Sequence, residues 1–549
     1  MLSTLDLSIS VCYVVVMIAI GFAVGLRRKG TKAAGAGEYF LAGKSLRWPM
    51  IGLALFATNI SCVHLVSLAQ SGFDTGLLNG NFEWMAAFTL ILLALFFVPF
   101  YIRSGIATLP DFLERRYDRS CRDWLTVISL VSAIVIHIAF SLLAGGVVIE
   151  ALFGVDMYIS VSAIALLVAL YTILGGLRAV VVTESVQTVV LIVGALAMSW
   201  ASWGKLGGWQ PLVDTLASNN ELDKLSMLRP AGDESGMPWF AVFLGYPILG
   251  IWYWCADQTI VQRVLGAKDM NHARLGAIFC GFIKILPVFI FVLPGLFAYA
   301  LAERGLLNVS AISTLNQRGE EVVNSKGIYT LMITQLLPSG VVGMVVAALL
   351  SGLMSQVSGA LNSISTLVSY DILQRKRPNA TDRTLIRVGR LAAGVSLLLS
   401  LALLPLLNLY ESIFVGLNDI IAHIAPPITC VFLLGVFWRR ASAVSAKYTL
   451  WIGSAMGVVV YATSKLMPAT VIGGVPFMMM AFYLFLFSVA IQVTLSLRYP
   501  HVQVAGEPPL YWKSIWEPLR QPAYRGLGNY KLLSLCLLLT MAVLYVIFK

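Results

Sequence analysis

The sequence predicts an all-α polytopic membrane protein of about 14 transmembrane helices, and three observations carry that expectation. Only 12% of the 549 residues are charged and 58% are hydrophobic, whereas an ordinary soluble domain is roughly a quarter charged. Apolar runs of about 20 residues, the length that crosses a bilayer as a helix, recur from end to end. Basic residues gather in alternate connections between those runs, as the positive-inside rule requires of a polytopic chain.

The first span, 8–26, has no basic leader and no small-residue cleavage site, so it reads as a retained helix and not a signal peptide. Arg27, Arg28, Lys29, Lys32, Lys44 and Arg47 follow it. The second span, 48–71, interrupts its apolar run with Asn59, Ser61, His64 and Gln70. The third, 83–103, opens on Glu83 and leads to Arg115, Arg116, Arg119 and Arg122. Spans 123–152, 157–174 and 181–203 are apolar. Gly145-Gly146 in the first of them, and Gly175-Gly176 just beyond the second, suit close helix contact or a tight turn. The seventh, 239–261, is interrupted around Gly250, Tyr253, Trp254, Asp257 and Gln258, and Arg263, Lys268 and Arg274 follow. The eighth, 275–302, contains Lys284, and the ninth, 339–371, is rich in Ser and precedes Arg375, Lys376, Arg377 and Arg383. After 387–407, the eleventh span, 411–438, contains Pro426-Pro427, which are expected to kink it. Arg439, Arg440 and Lys447 follow, and 445–465, 474–497 and 528–548 complete the set.

The net charge of +11 suggests nucleic acid until its placement is considered. The basic clusters that fall in every second loop mark the cytoplasmic side, which puts both termini outside. The longer connection 204–237 is Gly- and Asn-rich and reads as a flexible outside loop. Six of the seven Cys lie in spans and Cys121 in a basic loop, with no disulfide or metal-ligand spacing. They read as small apolar packers. No phosphate-binding glycine motif, activated nucleophile or metal cluster supports ATP use or an enzyme activity. The partners expected are the lipid bilayer, a small solute and an ion, with no nucleic acid and no obligatory protein. Short loops and tails favour a bacterial inner membrane.

Polar groups inside the bilayer need partners within the protein or a cavity, and they commonly line a solute or ion route. Ser351, Ser355, Ser358 and Asn362 are spaced by four, three and four residues, so they share one helix face. That face suits a hard, partly dehydrated cation, and it equally suits Ser/Gly helix packing. Glu83 is either solvated at a membrane mouth or part of a site. Lys284 either pairs with Asp257 or donates to a polar ligand in a cavity, since a central charge costs about 2.5–3.5 kcal/mol to insert. His64 suits either a helix contact or a ligand. Two interrupted spans five helices apart point to an inverted-repeat secondary transporter.

The stretches EYFLAGKSL (38–46), FATNIS (56–61), NFEWM (81–85), YTILGGLRAVVVTESVQ (171–187), WYWCADQTIVQR (252–263) and LNSISTLVSYDI (361–372) together resemble the solute:sodium symporter family, most of all its sodium–glucose cotransporter branch. The resemblance implies one transporter domain over 1–549. A leading helix (8–26) precedes a first repeat (48–203), an inverted second repeat (239–438) and three further helices (445–548). It implies a solute pocket formed by Asn59, His64, Glu83, Tyr253, Trp254, Lys284 and Asn418, with Tyr253 stacking on a sugar ring as an inner gate. Phe82 and Phe414 would be outer-gate aromatics. Sodium would be held by the carbonyls of Ala57, Ile60 and Gly352 and the Ser355 hydroxyl. Three positions depart from the family pattern. Gln356 replaces a second sodium-site serine, Glu184 replaces an aspartate on an ion-release route, and Asn418 replaces a pocket glutamine. The expected activity is therefore sodium-coupled symport of a monosaccharide or hexose-like polyol. The alternatives are a sialic acid, amino acid or cyclitol cargo, or a sugar sensor that does not transport.

Overall fold

The computed structural model describes residues 3–27, 35–233, 235–315, 321–408, 413–467, 470–501 and 508–549. Arg28, Lys29 and Lys32, and the side chains of Arg27 and Phe414, lie outside the described set. Twelve helical stretches among the described residues are long and apolar enough to cross a membrane.

Two local breaks explain why twelve continuous stretches stand where 14 spans were expected. The second expected span is two helices, Trp48–Asn59 and Cys62–Thr75, separated by extended residues Ile60 (φ −80°, ψ 111°) and Ser61 (φ −115°, ψ 179°). Its second half continues through the turn Gly76–Gly80 into Asn81–Leu92 and on to Ser104. The fifth and sixth spans are joined as the 50-residue Met157–Leu206, which changes direction at Gly176 (φ 67°, ψ −170°). Only glycine adopts that conformation readily, and a Cβ there would lie 2.6 Å from the Tyr39 carbonyl oxygen.

The seventh span is also broken. Trp239–Ile251 passes into a π-helical turn, Trp252–Ala256, and Asp257 is extended before Gln258–Leu265 begins. Asp257 caps the new helix by accepting the Ile260 N–H at 3.2 Å. Such caps satisfy the amides that a helix start leaves open, which matters most where lipid excludes water. A second π-helical turn, Ala133–Ala139, interrupts Arg119–Ser132 and Phe140–Phe153. Pro426 and Pro427 lie within the helix Ile413–Phe437.

Val341–Leu367 is the central helix. The most apolar window of its stretch is 89% buried, against 17% for the first helix, so the two belong to the interior and the lipid-facing ring. Met157–Leu206 packs along it, and Thr4–Arg27 rests on both. Asp6 ties the first helix to the start of the central one, its Oδ1 accepting the Gly340 and Gly343 N–H groups at 2.7 and 2.8 Å. Trp48–Asn59 packs on Met270–Ile283, and Cys62–Thr75 on Leu293–Glu303. The break at Ile60 and Ser61, both buried, therefore faces the interior between packed helices.

The connections are more ordered than the sequence suggests. Within 204–237, Trp209–Ser218 is a helix and Leu222–Leu225 a 3-10 turn, so a flexible loop is the wrong description of that segment. A short antiparallel hairpin pairs Ser313–Leu315 with Glu321–Val323. Cys121, expected in a loop, lies in the first turn of Arg119–Ser132 and is fully buried.

Candidate solute and cation sites

The two broken helices, the π-turn at Ala133–Ala139 and the central helix enclose one cavity. Asn59, Ser61, His64, Phe82, Glu83, His137, Ser141, Tyr246, Trp252, Tyr253, Trp254, Gln356 and Asn418 line it with aliphatic neighbours. It encloses about 780 Å³ of atom-free space, counting its open mouth. Its walls combine aromatic faces with a few convergent polar groups, the usual composition of such sites.

Breaking the helix at Ile60 turns Asn59, Ser61 and His64 toward the cavity, where a continuous helix would spread them over several faces. The Ser61 N–H points at His64 Nδ1 from 3.3 Å. With Nδ1 used as an acceptor, the neutral ring carries its proton on Nε2, 3.9 Å from Glu83 Oε1. Glu83 is 1% exposed, so it is not a solvated carboxylate at a mouth. Its other oxygen pairs with Lys284, whose ammonium also donates to Asn59 Oδ1 at 2.5 Å. Because Asn59 spends its oxygen on Lys284, its amide nitrogen remains as a donor.

Lys284 itself stands behind the cavity wall, 1% exposed, with its charge 5.7 Å from the centre of the Trp254 ring. Its partner is Glu83 and not Asp257, so the alternative pairing is corrected. Asp257 instead faces His137, with Oδ2 3.2 Å from Nε2, and it too lies outside the cavity lining. Gln70 turns away from the cavity and donates to Ser325 Oγ at 3.2 Å. Tyr253 is half-buried and lines the cavity, its ring 5.3 Å from Trp254 and 5.9 Å from His137. The three aromatics 252–254 thus belong to the cavity and not to an interfacial belt. Phe82 packs edge-on to Tyr246 and stacks on Phe477 at 6.3 Å.

Beginning at Ala57, two residues before Asn59, the structure gathers a second set of oxygens. The Ser355 hydroxyl donates to the Ala57 carbonyl at 2.8 Å and lies 3.1 Å from the Gly352 carbonyl. Gly352 permits this approach, since a Cβ there would stand 3.1 Å from the Ser61 carbonyl carbon. The neighbouring serines are used differently. Ser351 donates to Tyr13 on the first helix at 2.6 Å, and Ser358 donates to the Ser355 carbonyl at 3.1 Å. Hard oxygen donors converging on a helix break are suited to a small cation.

Beneath this set, Glu184 and Arg263 form a fully buried pair at 2.5 Å, and Thr58 donates to the same carboxylate at 3.1 Å. Arg263 had been counted with the cytoplasmic loop charges, yet it is fully buried, and Arg116 and Arg274 are nearly so. His137 was missed altogether. The available signal was a lone titratable residue inside an otherwise apolar span.

A profile of the sodium:solute symporter family matches residues 39–453. The chain belongs to that family. Among its relatives, the sodium/glucose cotransporter 1 of Ovis aries is 33% identical over 523 residues, covering 90% of this chain and 78% of the relative. The sodium/mannose cotransporter SLC5A10 of Bos taurus is 34% identical over 553 residues, covering 96% and 92%. A Na+-coupled sialic acid symporter in a substrate-bound outward-open state has the same fold, with a TM-score of 0.77 over 91% of this chain and 100% of that one, at 21% identity. This symporter is thus a multi-pass plasma-membrane transporter and not an enzyme. It moves a small solute together with sodium.

Proposed function

We propose that this symporter carries a hexose or hexose-like polyol with sodium, by alternating access of two inverted five-helix repeats at 48–203 and 239–438. The helix at 8–26 precedes the repeats and 445–548 adds three more. The observation that supports this most is the single cavity where both broken helices meet. Asn59, His64 and Glu83 come from one side of the sequence, and Tyr253, Trp254 and Asn418 from the other. A sugar presents hydroxyls around its rim and an apolar ring face, which amide, imidazole and carboxylate groups around an aromatic plate match. Tyr253 covers the ring and Phe82 stands outside it, with Phe414 proposed as its counterpart. Lys284 acts through Glu83 and Asn59, holding both in place.

Sodium is held by the carbonyls of Ala57, Ile60 and Gly352 and the Ser355 hydroxyl. One end of this set is the backbone of the broken helix that also carries Asn59 and His64, so filling it favours one arrangement of the solute wall. Glu184 and Arg263 lie on the exit route toward the cytoplasm. One sodium crossing about 100 mV supplies roughly 2.3 kcal/mol, and a tenfold gradient adds about 1.4 kcal/mol. Together these concentrate a neutral solute several hundredfold without ATP.

The test is uptake of labelled glucose and mannose into proteoliposomes, driven by sodium or, as control, by potassium. Sodium-driven accumulation of a hexose is expected, and excess cyclitol or amino acid should compete weakly. Sodium-driven uptake confined to sialic acid or an amino acid would overturn the cargo. Sugar binding without sodium-driven uptake would make the protein a sensor.

A further inference from the structure

The cavity has a second polar wall that none of the residues above explains. His137 and Ser141 are one turn apart on the stretch that includes the π-turn, and Gln356 faces them from the central helix. All three line the cavity and are at most 5% exposed. The Gln356 amide nitrogen is 2.7 Å from His137 Nδ1. The other ring nitrogen, Nε2, is 3.2 Å from an Asp257 oxygen, close enough for attraction but not aligned as a straight hydrogen bond. A carboxylate attracts the N–H edge of the ring, so neutral His137 carries its proton on Nε2 and accepts on Nδ1. The Gln356 amide must then donate through nitrogen, which fixes its oxygen as the free end. Gln356 Oε1 is buried without a partner, and so is Ser141 Oγ. A buried polar atom left unmatched costs about 1–3 kcal/mol. Two on the same wall point to a group supplied by whatever enters the cavity.

We propose that Gln356 and Ser141 form a second recognition subsite of the cavity, in which Gln356 Oε1 accepts a hydrogen bond from a hydroxyl of the transported ring. His137 and Asp257 are positioning residues that hold the Gln356 amide in the accepting orientation. The inference rests on the hexose reading above and adds a specificity determinant to it. It also assigns Gln356 to the solute, although the resemblance implied the sodium site for this position.

The probes are glucose and mannose together with their monodeoxy and monodeoxyfluoro analogues, measured as sodium-driven uptake in proteoliposomes. Unmodified protein should lose roughly tenfold in apparent affinity when one particular hydroxyl is removed. Gln356→Met should raise the constant for the parent hexose by a similar factor and erase the penalty for that one analogue. The sodium half-saturation should stay within about twofold. Gln356→Ser, which restores the residue type of the family, guards against a folding defect and should give the same loss of discrimination. His137→Phe frees the amide to turn, so the fluoro analogue, which accepts but cannot donate, should lose its disadvantage. If Gln356→Met or Gln356→Ser shifts the sodium half-saturation while every hydroxyl keeps its penalty, Gln356 is a cation ligand and the proposal fails. If unmodified protein takes up neither hexose with sodium, the cargo reading fails and the proposal with it.

Discussion

At the scale of single residues, a handful of buried charges and hydroxyls line or adjoin the cavity, and each makes a distinct demand. Ser355→Ala removes a hydroxyl placed between two carbonyls. The sodium half-saturation should rise severalfold while the protein keeps its thermal stability in detergent. An unchanged sodium dependence would locate the cation elsewhere. Glu83→Gln removes the charge facing His64 and should raise the apparent hexose constant by roughly ten- to a hundredfold, as loss of a charged hydrogen-bond partner implies. Lys284→Met leaves Glu83 buried without its partner, a change that typically costs about 3–5 kcal/mol. The double variant Glu83→Gln/Lys284→Met should recover much of that thermal stability without recovering hexose affinity. Recovery of both would make the pair purely structural. That Asn59, His64 and Glu83 line a cavity was legible because they interrupt apolar runs, and a polar group in lipid demands an explanation. The placement of His137 was not, because its neighbours Asp257 and Gln356 lie far along the chain and only packing brings them together. Arg263 was misread for the opposite reason. It follows an apolar run as loop residues do, yet the helix Gln258–Leu265 carries it into the interior to meet Glu184.

At the scale of elements, function depends on helices that stop in the right places. Hydropathy located the apolar runs well, but it counts length and polarity and is blind to backbone direction. It therefore separated 157–174 from 181–203 where the chain is one long element turned at Gly176. The Gly175-Gly176 pair was read as either a close contact or a turn, and it is both. Gly175 lies against Gly25 of the first helix, while Gly176 supplies the positive φ. Gly176→Ala should lower the melting temperature markedly, since it combines a strained φ with a Cβ 2.6 Å from the Tyr39 oxygen. Gly175→Ala meets Ala179 Cβ at 2.3 Å, so it tests packing where Gly176→Ala tests the turn. Asp6 serves the central helix from the first. Asp6→Ala should cost about 0.5–2 kcal/mol, the usual range for losing a helix cap, read as a fall in thermal stability. Asp6→Asn keeps an acceptor and should lose less.

At the scale of the whole molecule, the basic loops share one face. Leu46 bridges to Ala267, joining the connections after the first and seventh spans. Arg122 pairs with Asp371 and Arg375 with Asp123, joining those after the third and ninth. Arg116 donates to the carbonyls of Gly435 and Trp438, bringing in the eleventh. The opposite face gathers the remaining connections and both ends of the described chain. Ser3 meets Ser339, Arg229 donates to the Thr75 carbonyl, and the Met227 N–H donates to Phe548. By the positive-inside rule that second face is expected to lie outside. In a variant lacking the exposed Cys12 and Cys536, Asn379→Cys should react only with a reagent that enters the cytoplasm. Ala217→Cys should react with an impermeant reagent added to intact cells. Both positions are exposed, so access to the reagent depends on the side of the membrane and not on local burial. The reverse labelling would invert the molecule and, with it, the direction in which the cavity loads.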